Sequence, residues 1–381
     1  MFGKPHASGK AALVIDVDDV SVGVATAELS DGPVSVLSSE RKTIANEVRD
    51  SAQSAAAILQ LFEQTLDAVL KARDAKTPAF ENVYVIVHAP WTHFRTAQEQ
   101  ESYPEPRAIT KDMIPALAKK ACATITDLDT SNILEAGVMQ VMLNGYPTGK
   151  PIGKHANLLA VTAFQSDINP EIKRGIIDAI GKLIPGRVPT IRSGMRALLT
   201  VLHEHIPDIH RYVTLDVRGT ATACTVVRKE MITQHEETTE GSATIVRKIA
   251  NGGVPEEMLT QLRLLATDSC STDACKAVQD SLAKAEPELA KVYGEMFAKL
   301  AQRRRLPNKA MLAAPAELSP WLQNFFSRID FAQFTATTQP LDVEILTPDH
   351  VHDAVMWKTG APQDTGIAIS AGCVNILEQS A

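Results

Sequence analysis

The sequence predicts an α/β protein built as two lobes, and three observations predict it. The chain has 381 residues, more than one ordinary hydrophobic core holds. One hairpin is written twice: AALVIDVDDVSVGVATAEL from Ala11 and YVTLDVRGTATACTVVR from Tyr212 each run an apolar strand into an aspartate, Asp16 or Asp216. Each then turns through polar residues and returns as a β-branched strand. After each hairpin a third strand pattern gives way to a helical one, so each half carries strands with helices packed on them.

Residues 1–10 contain Gly3, Pro5, Ser8 and Gly9 and read as a flexible leader. Ala11–Asp16, Ser21–Leu29 and Pro33–Ile44 are expected as three strands. Ser51–Ala72 follows as a helix with Ile58, Phe62, Leu66 and Val69 on one face. Val83–Val87 is a short continuous apolar run, the mark of a buried parallel strand. Pro90-Trp91 then leaves this sheet for a small α+β module. It comprises a strand over Thr92–Glu99, a helix opening at Thr110 with that hydroxyl as its cap, strands over Ala136–Leu143 and Asn157–Phe164, and a helix over Pro170–Leu183. Arg187–Ile191 and a helix over Ser193–His205 return to the first lobe, and Pro207-Asp208 marks the crossing to the second. There the hairpin, a strand over Met231–His235 and a helix over Ser242–Ala250 repeat the opening. Mostly helical sequence runs to Leu306, interrupted by a loop near Asp268–Asp273. A strand over Ala310–Ala314, a helix over Ser319–Phe326, a strand over Leu341–Leu346 and a helix over Thr365–Leu377 close the chain.

Composition excludes several functions. With 45% apolar and 22% charged residues and a formal charge of -7, nothing favours nucleic acid overall. Arg303, Arg304 and Arg305 form a dense basic run, expected to serve the end of a helix. The five cysteines Cys122, Cys224, Cys270, Cys275 and Cys373 are scattered and odd in number, which predicts no disulfide framework and a reducing, cytoplasmic location. Neither Cys270 with Cys275, nor His203, His205 and His210, nor His350 and His352 has the spacing of a metal site, so no metal is expected. No secretory or membrane-spanning stretch is present in the sequence, and any membrane association is expected to be peripheral.

The paired hairpins resemble the two phosphate loops of the actin-like ATPase superfamily. The stretch MQVMLNGYPTGKPIGKHA, from Met139, resembles the SHS2-type 1C subdomain of its bacterial branch, which includes FtsA and PilM. The resemblance implies a two-lobed actin-like (ribonuclease H-like) fold with a small α+β 1C insertion. Residues 11–90 and 187–207 would form subdomain 1A, 91–186 subdomain 1C, and 208–381 the second lobe, 2A and 2B.

Against the family pattern the loops are degenerate. Where D-I-G-S-S-S-V is expected, Asp16 and Ser21 match, but Asp18 stands at the glycine and Asp19 adds a charge where triphosphate would sit. Two unit charges about 4 Å apart interact by about 4 kcal/mol at an effective dielectric of 20, so these carboxylates oppose phosphate. Where D-I-G-G-G-T-T-D is expected, Asp216, Gly219 and Thr222 match, Arg218 replaces a glycine and Ala223 an acid. The adenosine motif is reduced to Met311–Ala316 without its glycines, and Arg192-Ser193-Gly194 stands where an acid often precedes the returning helix. Asp18 and Arg218 either pair across the cleft in place of nucleotide or point into solvent as turn residues. A third arrangement has Arg218 hold an anion while Asp16 and Asp216 hold Mg²⁺. Asp16 and Asp216 are expected to cap their own turns.

The resemblance therefore implies a non-catalytic scaffold of the PilM or FtsA type that needs no cofactor. It would recruit the cytoplasmic tail of a membrane protein to a pilus-assembly or division complex. The alternative is a divergent ATPase using ATP and Mg²⁺, which could form filaments by self-association. In the family, 1C and its junction with 1A carry partner contacts, which here points to Trp91, Phe94, Met139, Val141, Tyr146, Lys150 and Lys154, with core packing the competing expectation for half of Trp91, Phe94, Met139 and Val141. FtsA-like chains usually end in an amphipathic membrane helix. The ending Cys373–Glu378 with few residues after it favours the PilM-like role.

Overall fold

The structure, a computed structural model, describes residues 10–73, 80–206, 210–228, 231–267, 269, 272–302, 304–337 and 339–379. Residues 1–9 of the expected leader, the Pro207-Asp208 crossing and parts of the 268–273 loop lie outside them. The first hairpin is β1 (Lys10–Val17) and β2 (Ser21–Leu29), followed by β3 (Val34–Thr43), α1 (Ser51–Ala72) and β4 (Asn82–Val87). β1 pairs antiparallel with β2 and parallel with β4, which places Asp16 between Gly23 and Ile86. Leu13, Ile15 and Val17 pack on the face covered by α1, while Ala12 and Val14 enter the core on the opposite face. Strand alternation with both faces covered explains why β1 reads as a nearly unbroken apolar run. The start of α1 is fixed by a capping box between Asp50 and Gln53.

The inserted module follows: β5 (Phe94–Ala108), α2 (Met113–Ala123), β6 (Ile133–Leu143), β7 (Tyr146–Pro147) and β8 (His155–Asp167). Its strands form a sheet in the order β5-β8-β6-β7, with α2 on the face that buries Leu117, Leu143, Leu159 and Val161. The expected Thr110 cap is corrected. The helix begins at Met113 after Asp112, which makes no side-chain cap, and the Thr110 amide meets the Met113 sulfur instead. Glu135 on β6 ties the module to the first lobe, accepting from the Ser193 amide at 3.0 Å and from Arg196 Nη1 at 2.5 Å. α3 (Pro170–Leu183), capped by Asn169, then lies beside α1.

β9 (Thr190–Ser193) and α4 (Gly194–His205) lead to the second hairpin, β10 (Arg211–Val217) and β11 (Thr222–Arg228), and to β12 (Met231–Thr238). α5 (Ser242–Ala250), α6 (Pro255–Ala266), α7 (Thr272–Ala301), β13 (Lys309–Ala313), α8 (Ser319–Arg328), β14 (Asp342–Ile345), β15 (Val355–Trp357) and α9 (Thr365–Gln379) complete the chain. The second sheet runs β12-β11-β10-β13-β14, and its outer face is sealed by an aromatic cluster of Tyr293, Phe297, Phe325, Phe326 and Phe331. No disulfide framework was expected, yet Cys275 is disulfide-bonded, whereas Cys122, Cys224 and Cys373 are free.

The end of the chain does not belong to the second lobe, contrary to the boundary expected from sequence. β15 pairs with β3 at the edge of the first sheet, which runs β15-β3-β2-β1-β4-β9. α9 packs with α4 in the core between the two sheets, burying Ile367, Ala368, Ala371 and Val374. Gly372 faces Ala354 and Val201, at a distance where a Cβ would make ordinary van der Waals contact. Asn375 fixes the helix by accepting from the Ser30 amide at 2.9 Å and donating to the Gly32 carbonyl at 2.7 Å. Asn375→Ala removes both bonds and is expected to lower stability by about 1–3 kcal/mol, read as an earlier midpoint in urea unfolding. An unchanged midpoint would show that α9 is held by its apolar face alone.

Candidate functional site: a closed cleft between the lobes

The two hairpin turns meet between the lobes. Asp16 is fully buried at the end of β1 and every carboxylate oxygen is engaged. Arg41 Nη2 donates to Oδ1 at 2.8 Å, and Oδ2 meets His88 Nε2 at 2.8 Å and the Ser370 hydroxyl at 2.7 Å. Arg41 is itself held by Asp364, with Nε donating at 2.6 Å. On the other lobe Asp216 forms an ion pair with Arg218 Nε at 2.7 Å, and its Oδ2 lies 3.8 Å from His88 Nδ1. The imidazole of His88 thus stands between the two aspartates. Gly194 makes room for it, since a Cβ there would collide with the His88 ring.

The turns themselves are also in contact. Asp18 caps its own hairpin, accepting from the amides of Val20 at 2.8 Å and Ser21 at 2.6 Å and from the Ser21 hydroxyl at 2.9 Å. Ser21 accepts from Arg41 Nη1 at 2.8 Å. Across the cleft the Thr220 hydroxyl donates to Asp19. Gly219 is needed for this closeness rather than for a left-handed turn, because a Cβ there would strike Asp19 Oδ1 and Val20. The carbonyls of Arg218 and Gly219 accept from the first amides of α5, at Ser242 and Ala243, and so satisfy donors that a helix N-terminus would otherwise offer an anion. The Thr222 hydroxyl turns inward to the Glu240 carbonyl at 2.6 Å and lies 3.1 Å from the Tyr293 hydroxyl.

Two expectations are corrected by this geometry. Arg218 pairs with Asp216 on its own hairpin and Asp18 with its own turn, so neither a direct Asp18–Arg218 bridge nor two solvent-facing turn residues is found. Asp16 and Asp216 do not cap turns; Asp16 binds Arg41 and His88, which come from other elements, and Asp216 binds Arg218 of its own hairpin. Sequence reasoning missed Arg41, His88, Ser370 and Asp364. One signal was available: Gly23, in the interior of a strand, sits opposite both Asp16 and Arg41, and a Cβ there would meet the Arg41 guanidinium.

Of the residues expected at the partner surface, Trp91 and Phe94 are buried and pack rather than present themselves, with Phe94 stacked on Phe164 at 5.5 Å. Val141 is buried under α2, Met139 is partly buried, and Tyr146 is 77% exposed. Lys150 and Lys154 are exposed on the return between β7 and β8. Met139 and Val141 line a cleft of about 800 Å³ between the module's sheet, α4 and the second lobe, together with Val138, Ile152, Leu199 and Tyr212. A second cavity, of about 1010 Å³, opens on the other side of the turns beside Asp19, Arg49, Arg95 and Thr220, and none of Asp16, His88 or Asp216 lines it. Among the described residues no cluster of three or more His, Cys, Asp or Glu is placed to hold a metal, and no helix is long and apolar enough to cross a membrane.

Burial alone would raise the pKa of Asp16, but His88 and Arg41 hold it well below the usual carboxylate range. Burial likewise opposes ionisation of Asp216, and Arg218 and His88 outweigh it. For His88, burial and Arg218 act to expel the proton, yet Asp16 and Asp216 prevail and its pKa rises above the ordinary 6.5. The folded protein therefore keeps a proton on His88 that the unfolded chain loses. This contribution to stability is complete below about pH 6.5 and is lost as pH rises through the raised folded value. Wild type is expected to lose thermal stability over that window more steeply than His88→Gln, and parallel melting profiles would contradict a charged imidazole.

Asp19 behaves oppositely to Asp16: burial and the neighbouring Asp18 push its pKa up to about 7. Between the unfolded carboxylate value of about 3.8 and 7 the fold holds the extra proton, so ionisation destabilises the contact above pH 7. Asp19→Asn is expected to raise the melting temperature at pH 8 and to change it little at pH 5. Differential scanning calorimetry at the two pH values tests this, and a loss at pH 8 would contradict it.

No family model and no curated protein matches the chain. Among solved structures it is similar to a chain of the PilM-PilN type IV pilus biogenesis complex, at 16% identity and a TM-score of 0.59, covering 99% of this chain and 100% of that one. The ethanolamine utilization protein EutJ from Carboxydothermus hydrogenoformans is 9% identical with a TM-score of 0.45, over 99% of this chain and 92% of that one. A Bacteroides thetaiotaomicron protein with an actin-like ATPase fold is 10% identical with a TM-score of 0.38, over 96% of each chain. The chain thus has the two-lobed actin-like fold, and shares its course from end to end with the chain from the PilM-PilN complex.

Proposed function

We propose that the protein is a non-catalytic actin-like scaffold of pilus assembly, peripheral to the inner face of the membrane, which receives the cytoplasmic segment of a membrane protein. The observation that carries this reading is the cleft of about 800 Å³ between the module and the two lobes. Its walls combine apolar side chains, among them Val138 at 41% and Ile152 at 60% exposure, with the charged Arg196 and Glu204. Such a wall suits an amphipathic peptide, whose apolar side chains fill the trough while charges fix its direction. Glu135 and Arg196 anchor the module to α4, so the walls are preorganised and binding does not have to order them. The whole-chain likeness to a component of the PilM-PilN complex supports pilus assembly over cell division as the setting.

The cleft between the turns supports a scaffold rather than an ATPase. A Mg²⁺ nucleotide needs unpaired carboxylate oxygens, directly or through water, and room for phosphates between the loops. Here Asp16 and Asp216 already bind Arg41, His88 and Arg218, and the turns touch through Asp19, Thr220 and Gly219. These residues do not fit the group, and we assign the protein no ATP hydrolysis and no nucleotide cofactor.

Two measurements test the proposal. Val138→Asp/Ile152→Asp, which alters exposed positions on the cleft wall, is expected to lose a pilus inner-membrane protein that wild type recovers from native membranes. Millimolar ATP with Mg²⁺ is expected to leave the melting temperature unchanged, whereas a ligand at about 100 times its dissociation constant would add about 2.7 kcal/mol. Recovery of division proteins in place of pilus proteins, or a nucleotide-dependent shift, would overturn the corresponding half of the proposal.

A further inference from the structure

A second candidate site lies at the end of the second lobe farthest from the paired turns and does not depend on the scaffold reading. β10 starts at Arg211 and reaches the cleft only at Asp216, so Arg211 marks the opposite edge of the sheet, and Arg228 is its register partner on β11. The connection from α7 to β13 brings Arg304 and Arg305 to the same edge. The four guanidinium groups line a pocket of about 470 Å³ together with Asn308 and Thr337.

Among the described residues no carboxylate forms an ion pair with Arg211, Arg228, Arg304 or Arg305, although the chain as a whole carries a formal charge of -7. The acids on the neighbouring strand, Asp342 and Glu344, are taken by Lys309 at 3.1 and 2.6 Å. Arg228 is only 7% exposed and its Nε has no hydrogen-bond partner. Burial and the like charges of Arg304 and Arg211 lower its pKa, a penalty that an anion would relieve. Two of the four are held in place: Arg228 donates to the Arg305 carbonyl, and Arg305 Nη1 to the Gln333 carbonyl at 2.5 Å. Arg211 and Arg304 are exposed at the rim. A buried Arg228 beneath the tethered but exposed Arg305 and the two exposed forks is an arrangement that grips a tetrahedral oxyanion, because each planar guanidinium can present two parallel N–H groups to its oxygens.

We propose that this arginine pocket binds a phosphate group carried on a larger body, either the headgroup of an anionic phospholipid or a soluble phosphorylated molecule. A pocket of about 470 Å³ exceeds the needs of a bare phosphate and leaves space for what the phosphate is attached to. The Asn308 and Thr337 side chains, already bonded to each other at 2.7 Å, form its polar wall.

The test compares wild type with Arg211→Ser/Arg304→Ser, which changes exposed residues, and with Lys119→Ser/Lys120→Ser, which removes the same charge from the exposed face of α2. Inorganic phosphate is titrated against chloride at matched ionic strength with melting temperature as readout, and vesicles of phosphatidylglycerol in phosphatidylcholine are compared with pure phosphatidylcholine by flotation. Saturable binding to either probe is expected, weakened at least tenfold in the arginine variant and unchanged in the lysine variant. Binding to phosphatidylglycerol vesicles assigns the lipid source, and a phosphate response without vesicle binding assigns the soluble one. Absence of saturable binding to both probes, or an equal loss in the two variants, overturns the proposal.

Discussion

A single imidazole, fully buried between two aspartates from different lobes, is the contact on which the rest of the molecule depends. Two carboxylates at the centre of a protein cannot both stay ionised unless cations accompany them. Asp16 receives Arg41 and Asp216 receives Arg218, while His88 reaches towards both. Each cation has its own requirement. Arg41 needs Gly23 beneath it and Asp364 beyond it, and His88 needs Gly194 at the first position of α4. The charges, the glycines and the ends of β1, β4 and β10 therefore form one interdependent unit.

This unit lies across the cleft between the two lobes. Where an open cleft would close on a ligand, here the protein's own side chains span it, and the core formed by α4 and α9 continues the connection between the sheets. Two lobes held in this way present a fixed outer surface. The inserted module stands on that surface, fastened by Glu135 to β9 and α4 and by Arg95 to Glu237 of the second lobe at 3.5 Å. The cleft of about 800 Å³ lies between the module's sheet, α4 and the second lobe, while the arginine pocket is placed where strands of the second sheet begin and end.

The architecture was legible in the sequence because it is written in local pattern. Hairpins show as alternation into an aspartate, α1 and α3 as apolar residues on one face, and β4 as a short apolar run; their observed spans agree closely with these signals. The duplicated hairpin and the degenerate turns also pointed to the right pair of aspartates. Neither the Asp18–Arg218 bridge nor two solvent-facing turn residues formed, because a short aspartate next to free turn amides bonds them first, and Arg218 folds back on the aspartate two residues before it. Trp91 and Phe94 could be read as core or as surface aromatics, and only the fold shows that both are packed inside.

By itself, then, the sequence determined the succession of strands and helices and their turns, including the Asp18-Asp19 and Arg218-Gly219 turns of the two hairpins, since each of these depends on residues a few positions apart. Tertiary structure alone decided that β15 and α9 return to the first lobe, that Arg41, His88 and Ser370 meet Asp16 from points as far as 354 positions away, and that four arginines share one pocket. Charge pairing acts through space and leaves no trace in periodicity, so only the folded chain shows which cation answers which carboxylate.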